Sequence, residues 1–237
     1  VISFISIAGV TLGVAALIVV LAGMTGFHDG VRQQILGNIP HILVQKHGEE
    51  ISGYPQLIEQ ALAASPRIKE ARPYVSKEAM LLSHNNVAAV SVKGVERGNK
   101  VFDQPFLTVD ARDVQDLVFT EGEGLPGLVI GIDTAATLAV AVGDVINVIP
   151  PMFTITPFGM IPKMKPFRVV AITSRRGGFL DTYYAYMALP QAQLLIDAGE
   201  RVSGIEIEVD SFDHATAVAQ ELRGVFAYPH VVRSWED

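Results

Sequence analysis

The stretch VISFISIAGVTLGVAALIVVLAGMTGF, residues 1–27, contains no Asp, Glu, Lys, Arg or His, whereas the chain beyond it alternates charge with hydrophobe. As a helix, about 20 apolar residues cover the hydrocarbon core of a bilayer, and lipid offers the backbone no hydrogen-bond partner outside that helix. The stretch reads as a transmembrane helix. A secretory signal would open on a basic segment and enclose an apolar core of about 7–15 residues before a small-residue cleavage site. This one starts mid-hydrophobe and runs longer. Because the chain begins without Met, the reading also expects residues upstream, among them basic ones that would set the orientation.

Ser6, Gly9, Gly13 and Ala16 recur at helical spacing, and Gly9 with Gly13 forms a small-xxx-small pair on which a second helix could seat. Past the apolar run, Phe27, Val31 and Ile35 form one face against Asp29, Arg32 and Gln33. The helix is therefore expected to continue to Leu36, where Gly37 stops it and Pro40 follows. At about 1.5 Å per residue the continuation would extend roughly 13 Å beyond the bilayer, as a stalk.

About 200 residues follow, enough to bury one large core or two small ones. With 18 Lys plus Arg against 25 Asp plus Glu there is no basic field for nucleic acid. The absence of Cys removes disulfides, thiolate metal sites and thiol nucleophiles.

In chain order, HILVQK (41–46) reads as a strand, YPQLIEQALAAS (54–65) as a helix with Leu57, Ile58, Ala61 and Leu62 inward, and residues 68–76 as a returning strand. EAMLLSHNNVAAVSVKGV (78–95) reads as a hairpin turning at His84-Asn85-Asn86, where Asn tolerates a positive φ. Near the C-terminus the pattern returns. GIEIEV (204–209) alternates as a strand, FDHATAVAQELR (212–223) is a helix with Ala215, Val218, Ala219 and Leu222 on one side, and Val231-Val232 begins a strand. Two β-α-β elements at the two ends of the chain suggest a ferredoxin-like lobe assembled from residues 37–95 and 200–237.

The middle, residues 96–199, is then a mainly β insertion. It contains a helix over 110–117, a turn at 121–124, a strand over 128–132, a helix over 133–140 and a turn at Gly143-Asp144. Strands over 145–149 and 167–173, a β-rich 182–189 and a short helix over 191–197 complete it. The fold class is α+β.

Few residues invite a chemical reading. Gly122, Gly124 and Gly127 satisfy G-x-G-x-x-G, but Pro126 sits inside and no helix opens at the third glycine, so this is a turn. His28, His41, His47, His84, His214 and His230 are scattered without metal-ligand spacing, and Ser203 and Ser211 lack a nucleophile elbow. Arg175-Arg176-Gly177-Gly178 reads as a solvated hairpin tip. Nothing here asks for catalysis.

PPMFTITPFGMIPKMKP (150–166) is the unusual segment. Five prolines alternate with Met152, Phe153, Phe158, Met160 and Ile161, so a normal strand ladder is not expected while the apolar load exceeds that of an ordinary loop. Proline reduces the entropy lost when a loop is held in one shape, which suits a protruding arm that docks. The same composition also fits a loop folded back on its own domain. Lys163 and Lys165 would favour an acidic partner surface.

GVTLGVAAL (9–17), MTGF (24–27), ILGNIPH (35–41), VIGIDTAATLAVAVGD (129–144), TPFGMIP (156–162) and the closing WED (235–237) together resemble the LolC/LolE lipoprotein-releasing permeases, within the wider group of MacB-type ABC transporters. The resemblance covers essentially the whole chain. It implies a bacterial inner-membrane subunit whose first helix (1–36 with its stalk) leads into a two-lobed MacB-like periplasmic domain. It implies a hook within 150–166 that captures the periplasmic lipoprotein carrier, falling on Thr156, Pro157, Phe158, Gly159, Met160, Ile161 and Pro162, with a basic pad at Lys163 and Lys165. In the membrane, Val20 and Met24 would contact acyl chains of the lipoprotein substrate. The remaining partners are a second permease subunit, copy or paralogue, and a separate ATPase that carries ATP and Mg, so this chain holds no cofactor or metal and hydrolyses nothing. A MacB-like exporter subunit, a single-span membrane-anchored binding or sensor protein, and, behind both, a membrane-anchored hydrolase are the alternatives.

Overall fold

The computed structural model describes residues 2–36, 40–84, 86–103, 111–120, 124–156, 159–173 and 183–237; within these, the side chains of 2–5, 8, 25–36, 103, 111–112, 153–156 and 160–161 lie outside the description. The chain divides into two compact units, Val1–Ile39 and Pro40–Asp237. In the first, α1 (Ile2–Leu36) is a single helix of 35 residues that ends where the glycine stop was expected. Gly37 itself lies outside the described residues. Among the described residues no helix is long and apolar enough to cross a membrane. Within α1 the longest described run of side chains is 9–24, short of the about 20 that a bilayer asks.

The second unit runs β1 (Ile42–Lys46), α2 (Tyr54–Ala64), β2 (Ile68–Ser83), β3 (Asn86–Val95), α3 (Ala111–Val118), β4 (Gly127–Gly131), α4 (Ile132–Leu138) and β5 (Val145–Ile149). It continues through β6 (Phe153–Thr156), β7 (Gly159–Pro162), β8 (Lys165–Thr173), β9 (Tyr184–Ala188), α5 (Leu189–Leu195), β10 (Gly204–Val209), α6 (Ala215–Val225) and β11 (His230–Ser234). The strands at the two ends of the unit meet in the order β11-β1-β10-β2, every neighbour antiparallel, which is the split β-α-β layout. Alternation dictates the faces. Ile205, Ile207 and Val209 turn inward against Ile42, Val44, Ala61, Val218 and Leu222. Between them Glu206 meets Lys93 at 2.5 Å and Glu208 pairs with Lys100. At one end of this sheet the Trp235 N–H donates to the His41 carbonyl at 3.1 Å, so the first and last strands of the unit close side by side.

β2 does not end with that sheet. It is one strand of sixteen residues rather than a strand followed by a separate hairpin arm. Its first half pairs with β10, its second half with β3 on one edge, and Met80, Leu81 and Leu82 also pair with Ile149, Val148 and Asn147 of β5 on the other. The order β2-β3-β9-β4-β8-β5 therefore closes on itself as a six-stranded barrel. Its interior holds Leu81, Val92, Leu128, Ile130, Ile146, Val148, Phe167, Val169 and Met187. Outside it, α3 covers Val129, Val170 and Tyr186 with Val114 and Val118. Covered on both sides, β4 and β8 read as continuous apolar runs in place of an alternation.

Local departures have local causes. The β2–β3 turn places a positive φ of 40° on His84, while Asn85 lies outside the described residues. α5 starts at Leu189, two residues before the sequence pattern, because Pro190 has no N–H to leave unpaired in a first turn. α4 stops at Leu138 when Ala139 turns left-handed (φ 52°). The expected 212–223 helix opens as a 3-10 turn, Phe212–His214, before α6. A Cβ on Gly94 of β3 would lie 2.3 Å from the Ala192 Cβ, so a bare backbone there is what lets α5 lie flat on the barrel.

His41 is 8 % exposed, its ring centroid 3.8 Å from that of Phe212, and its Nδ1 accepts the Val209 N–H at 3.1 Å. Burial holds its pKa below the ordinary 6.5; Lys100 and Lys69 act in the same direction and Glu208 against it. The unfolded chain therefore binds this proton more readily than the folded one. The stabilisation is complete above about pH 6.5 and is lost as pH falls below it. Thermal melts between pH 7.5 and 5 should show stability declining on the acid side. His41→Phe should flatten that decline while costing about 1–3 kcal/mol at pH 7.5, because the Val209 N–H is left unpaired.

Candidate functional site

The Pro-rich segment forms a ladder after all. β6 and β7 pair as Phe153↔Pro162, Thr154↔Ile161, Ile155↔Met160 and Thr156↔Gly159, and among the described residues neither pairs with any other strand. The prolines were expected to forbid this, but they fall outside the strands or near strand ends. Pro150 and Pro151 precede β6, Pro157 falls between the strands, Pro162 ends β7, and Pro166 stands near the start of β8. The ribbon below it is the antiparallel pair β5–β8, so β6–β7 continues that ribbon past the barrel. Pro157 and Phe158, and the side chains of Phe153, Thr156, Met160 and Ile161, lie outside the description; Gly159 and Pro162 are exposed. Met152, which the sequence grouped with the docking residues, instead packs half-buried against the barrel core.

The joint between the two ribbon sections is asymmetric, residues 149–152 on one side against 163–164 on the other. The Lys163 N–H donates to the Met152 carbonyl at 3.1 Å and the Met152 N–H to the Pro150 carbonyl at 2.7 Å. Both lysines of the expected basic pad reach α5 and the turn after it. Lys163 Nζ donates to the Leu194 carbonyl at 3.1 Å and pairs with the Asp197 carboxylate. Lys165 Nζ donates to Gln191 Oε1 at 2.8 Å and lies 5.8 Å from the Phe167 ring centroid. Burial lowers the Lys165 pKa, and the Lys163 charge adds to that. Met164, between them, is 49 % exposed. These partners lie 26 to 34 residues away, so no local pattern announced them.

Residues 3–225 match the pattern of the MacB-like periplasmic core domain. The chain belongs to that family. It is 29% identical over 230 residues to the lipoprotein-releasing system transmembrane protein LolC of Neisseria meningitidis serogroup B, covering 93% of this chain and 52% of that protein. LolC of Xylella fastidiosa is 28% identical over 235 residues, with 99% and 55% covered. LolC of Haemophilus influenzae is 31% identical over 182 residues, with 75% and 40% covered. The chain thus spans about half the length of the curated relatives it matches. Among solved structures, the extracellular domain of the noncanonic ABC-type transporter YknZ from Gram-positive bacteria aligns with a TM-score of 0.49 at 12% identity, covering 82% of this chain and 99% of that one. The periplasmic region of MacB from Actinobacillus actinomycetemcomitans aligns with a TM-score of 0.46 at 14% identity, covering 82% and 88%.

The other sequence candidates of this MacB-like chain resolve into packing and capping. A Cβ on Gly127 would come within 2.6 Å of the Leu117 carbonyl, so that glycine admits α3 against β4, and the following helix opens only at Ile132; Gly122 lies outside the described residues. Ser203 Oγ accepts the Ser76 N–H at 3.0 Å, and Ser211 Oγ accepts the Asp213 N–H at 3.4 Å. Among the described residues no group of three or more His, Asp or Glu could hold a metal. Arg175 and Arg176 lie outside the description. An open cleft of about 730 Å³ lies among Lys46, Glu49, Glu50, Lys77 and Arg201, with Lys46 paired to Glu49 and Arg201 3.4 Å from Glu50. In the first unit, Val20 and Met24 are 64 % and 61 % exposed, and a Cβ at Gly9 or Gly13 would meet open space.

Gly159 takes φ 121° with nothing within 4 Å of a would-be Cβ, so conformation alone demands glycine there. Gly159→Ala should destabilise the hairpin by about 1–3 kcal/mol. Amide exchange at Thr154 and Ile161 should then accelerate while the melting temperature of the whole unit holds.

Proposed function

We propose that this chain is the first membrane helix and the periplasmic domain of a LolC-like permease subunit. The transporter would be of the ABC class, taking lipoproteins out of the bacterial inner membrane and passing them to a soluble periplasmic carrier. The observation that carries the reading is the β6–β7 hairpin, a proline-bounded ribbon bearing T-P-F-G-M-I-P that pairs with no other described strand. Similarity to LolC over 93% of the chain supports it. A two-stranded ribbon fixed in one shape binds without the ordering cost of a free loop.

In this reading α1 crosses the membrane. Its described side chains from Ser6 to Met24 are uncharged and exposed, and lipid is the medium in which an apolar helix surface carries no penalty. Val20 and Met24 meet lipoprotein acyl chains, and Gly9 with Gly13 seats a neighbouring helix, from this subunit or from a second permease copy or paralogue. ATP and Mg belong to the separate ATPase subunit, whose closure drives the lipid outward; this chain supplies the path and the handover and no catalysis. The periplasmic body is two-lobed, residues 37–95 with 200–237 as one lobe and the inserted 96–199 as the other; two separate apolar clusters support a two-lobed body, although β3 and the second half of β2 contribute Val75, Ala79, Leu81, Val90 and Val92 to the barrel cluster. Thr156 to Pro162 form the hook that grips the carrier.

A photo-crosslinking residue at position 158 of the full-length protein in cells should trap the carrier, and Phe158→Asp should abolish carrier capture while the ATPase subunit still co-purifies. A correctly folded, membrane-inserted protein that gives no adduct from position 158 overturns the hook assignment.

A further inference from the structure

We propose that Lys163 and Lys165 are positioning residues of the hairpin: through Asp197, the Leu194 carbonyl and Gln191 they fasten the root of β6–β7 to α5 instead of presenting charge to a partner. The proposal deepens the carrier-docking reading and rests on it for one arm of its test.

α5 is a rigid seat. Leu189, Ala192 and Leu195 are buried in the barrel core, and Ala192 sits against the bare backbone of Gly94. The helix ends in a turn where the Ile196 N–H donates to the Ala192 carbonyl at 3.2 Å and the Ala198 N–H to the Gln193 carbonyl at 3.0 Å, with Asp197 left-handed at φ 53°. Glycine is the usual occupant of that position, because it alone adopts the conformation without strain. Here an aspartate occupies it, and its carboxylate takes the Lys163 ammonium. The Leu194 carbonyl that Lys163 also bonds is among the last four of the helix, which have no partner within it. Gln191, one turn earlier, holds Lys165.

Three contacts from alternate residues of one ribbon to one helix and its closing turn fix a direction. An exposed ion pair alone contributes little affinity. Met164, between the two lysines, is left exposed. A docking pad would require the ammonium groups to be available to an acidic surface, whereas here they are engaged within the chain. The two readings diverge when Asp197 is changed. Freeing Lys163 should strengthen capture if it is a pad and weaken capture if it is a tether.

Residues 1–237 hold no cysteine, so Thr156→Cys and Glu221→Cys, with any cysteine outside these residues replaced by Ser, give a spin-label pair on the hairpin and on α6. In the full-length protein without any carrier, Asp197→Gly should broaden the pulsed-EPR distance distribution about twofold. The melting temperature should hold or rise, since glycine relieves the left-handed turn. Lys163→Gln should broaden the distribution likewise, and Lys163→Arg should restore the parent width. In the position-158 crosslinking assay, Asp197→Gly should lower carrier capture roughly threefold, the factor of a modest ion pair. An unchanged distribution in Asp197→Gly, or capture that rises with it, overturns the proposal. A broadened distribution in a protein whose parent never captures the carrier leaves the tether standing and removes only the docking reading.

Discussion

The architecture of residues 40–237 depends on one constraint, the register of a single long strand. β2 pairs with β10 through its first half and with β3 and β5 through its second, so it belongs at once to the four-stranded sheet and to the barrel. Side chains on a strand alternate with a period of two, and a slip of one residue would turn Val75, Ala79 and Leu81 out of the barrel interior. Such a slip would also carry β5 with it through the pairing of Leu81 to Val148. Because β5 and β8 form the ribbon from which β6–β7 extends, the hairpin inherits its place from that register.

Much of this was legible from residues. The alternation of GIEIEV, the helical stripe of Ala215, Val218, Ala219 and Leu222, and the two β-α-β patterns at the ends of the unit depend on local periodicity, and they appear where the spacing placed them. Closure of the barrel was not legible. It depends on β2 meeting β5 some 65 residues later, and both strands look locally like ordinary half-buried ones. The hairpin was misjudged as incapable of a ladder because prolines were counted without their register. Pro150, Pro151 and Pro157 lie outside the paired positions, Pro162 is the last residue of β7 opposite Phe153, and Pro166 is the second residue of β8 opposite Asn147.

The candidate site illustrates how one segment can be both recognisable and incompletely read. Residues 150–166 singled themselves out by composition, but the contacts of Lys163 and Lys165 depend on Gln191 of α5 and Asp197 in the turn after it, 26 and 34 residues along the chain. Charge content suggested attraction toward a partner. In the structure the same ammonium groups are engaged by Gln191, the Leu194 carbonyl and Asp197, at the root of the hairpin.

The hydrogen bond from Trp235 to His41 has a consequence of its own. With β1 and β11 as antiparallel neighbours, the point where the chain enters the unit and the point where it leaves are side by side. A module built this way can be spliced between two successive segments of a host without forcing them apart. Flanking segments then feel it as a short loop, however large the body between them grows, and that leaves the body free to be exchanged or elaborated while its mounting stays the same.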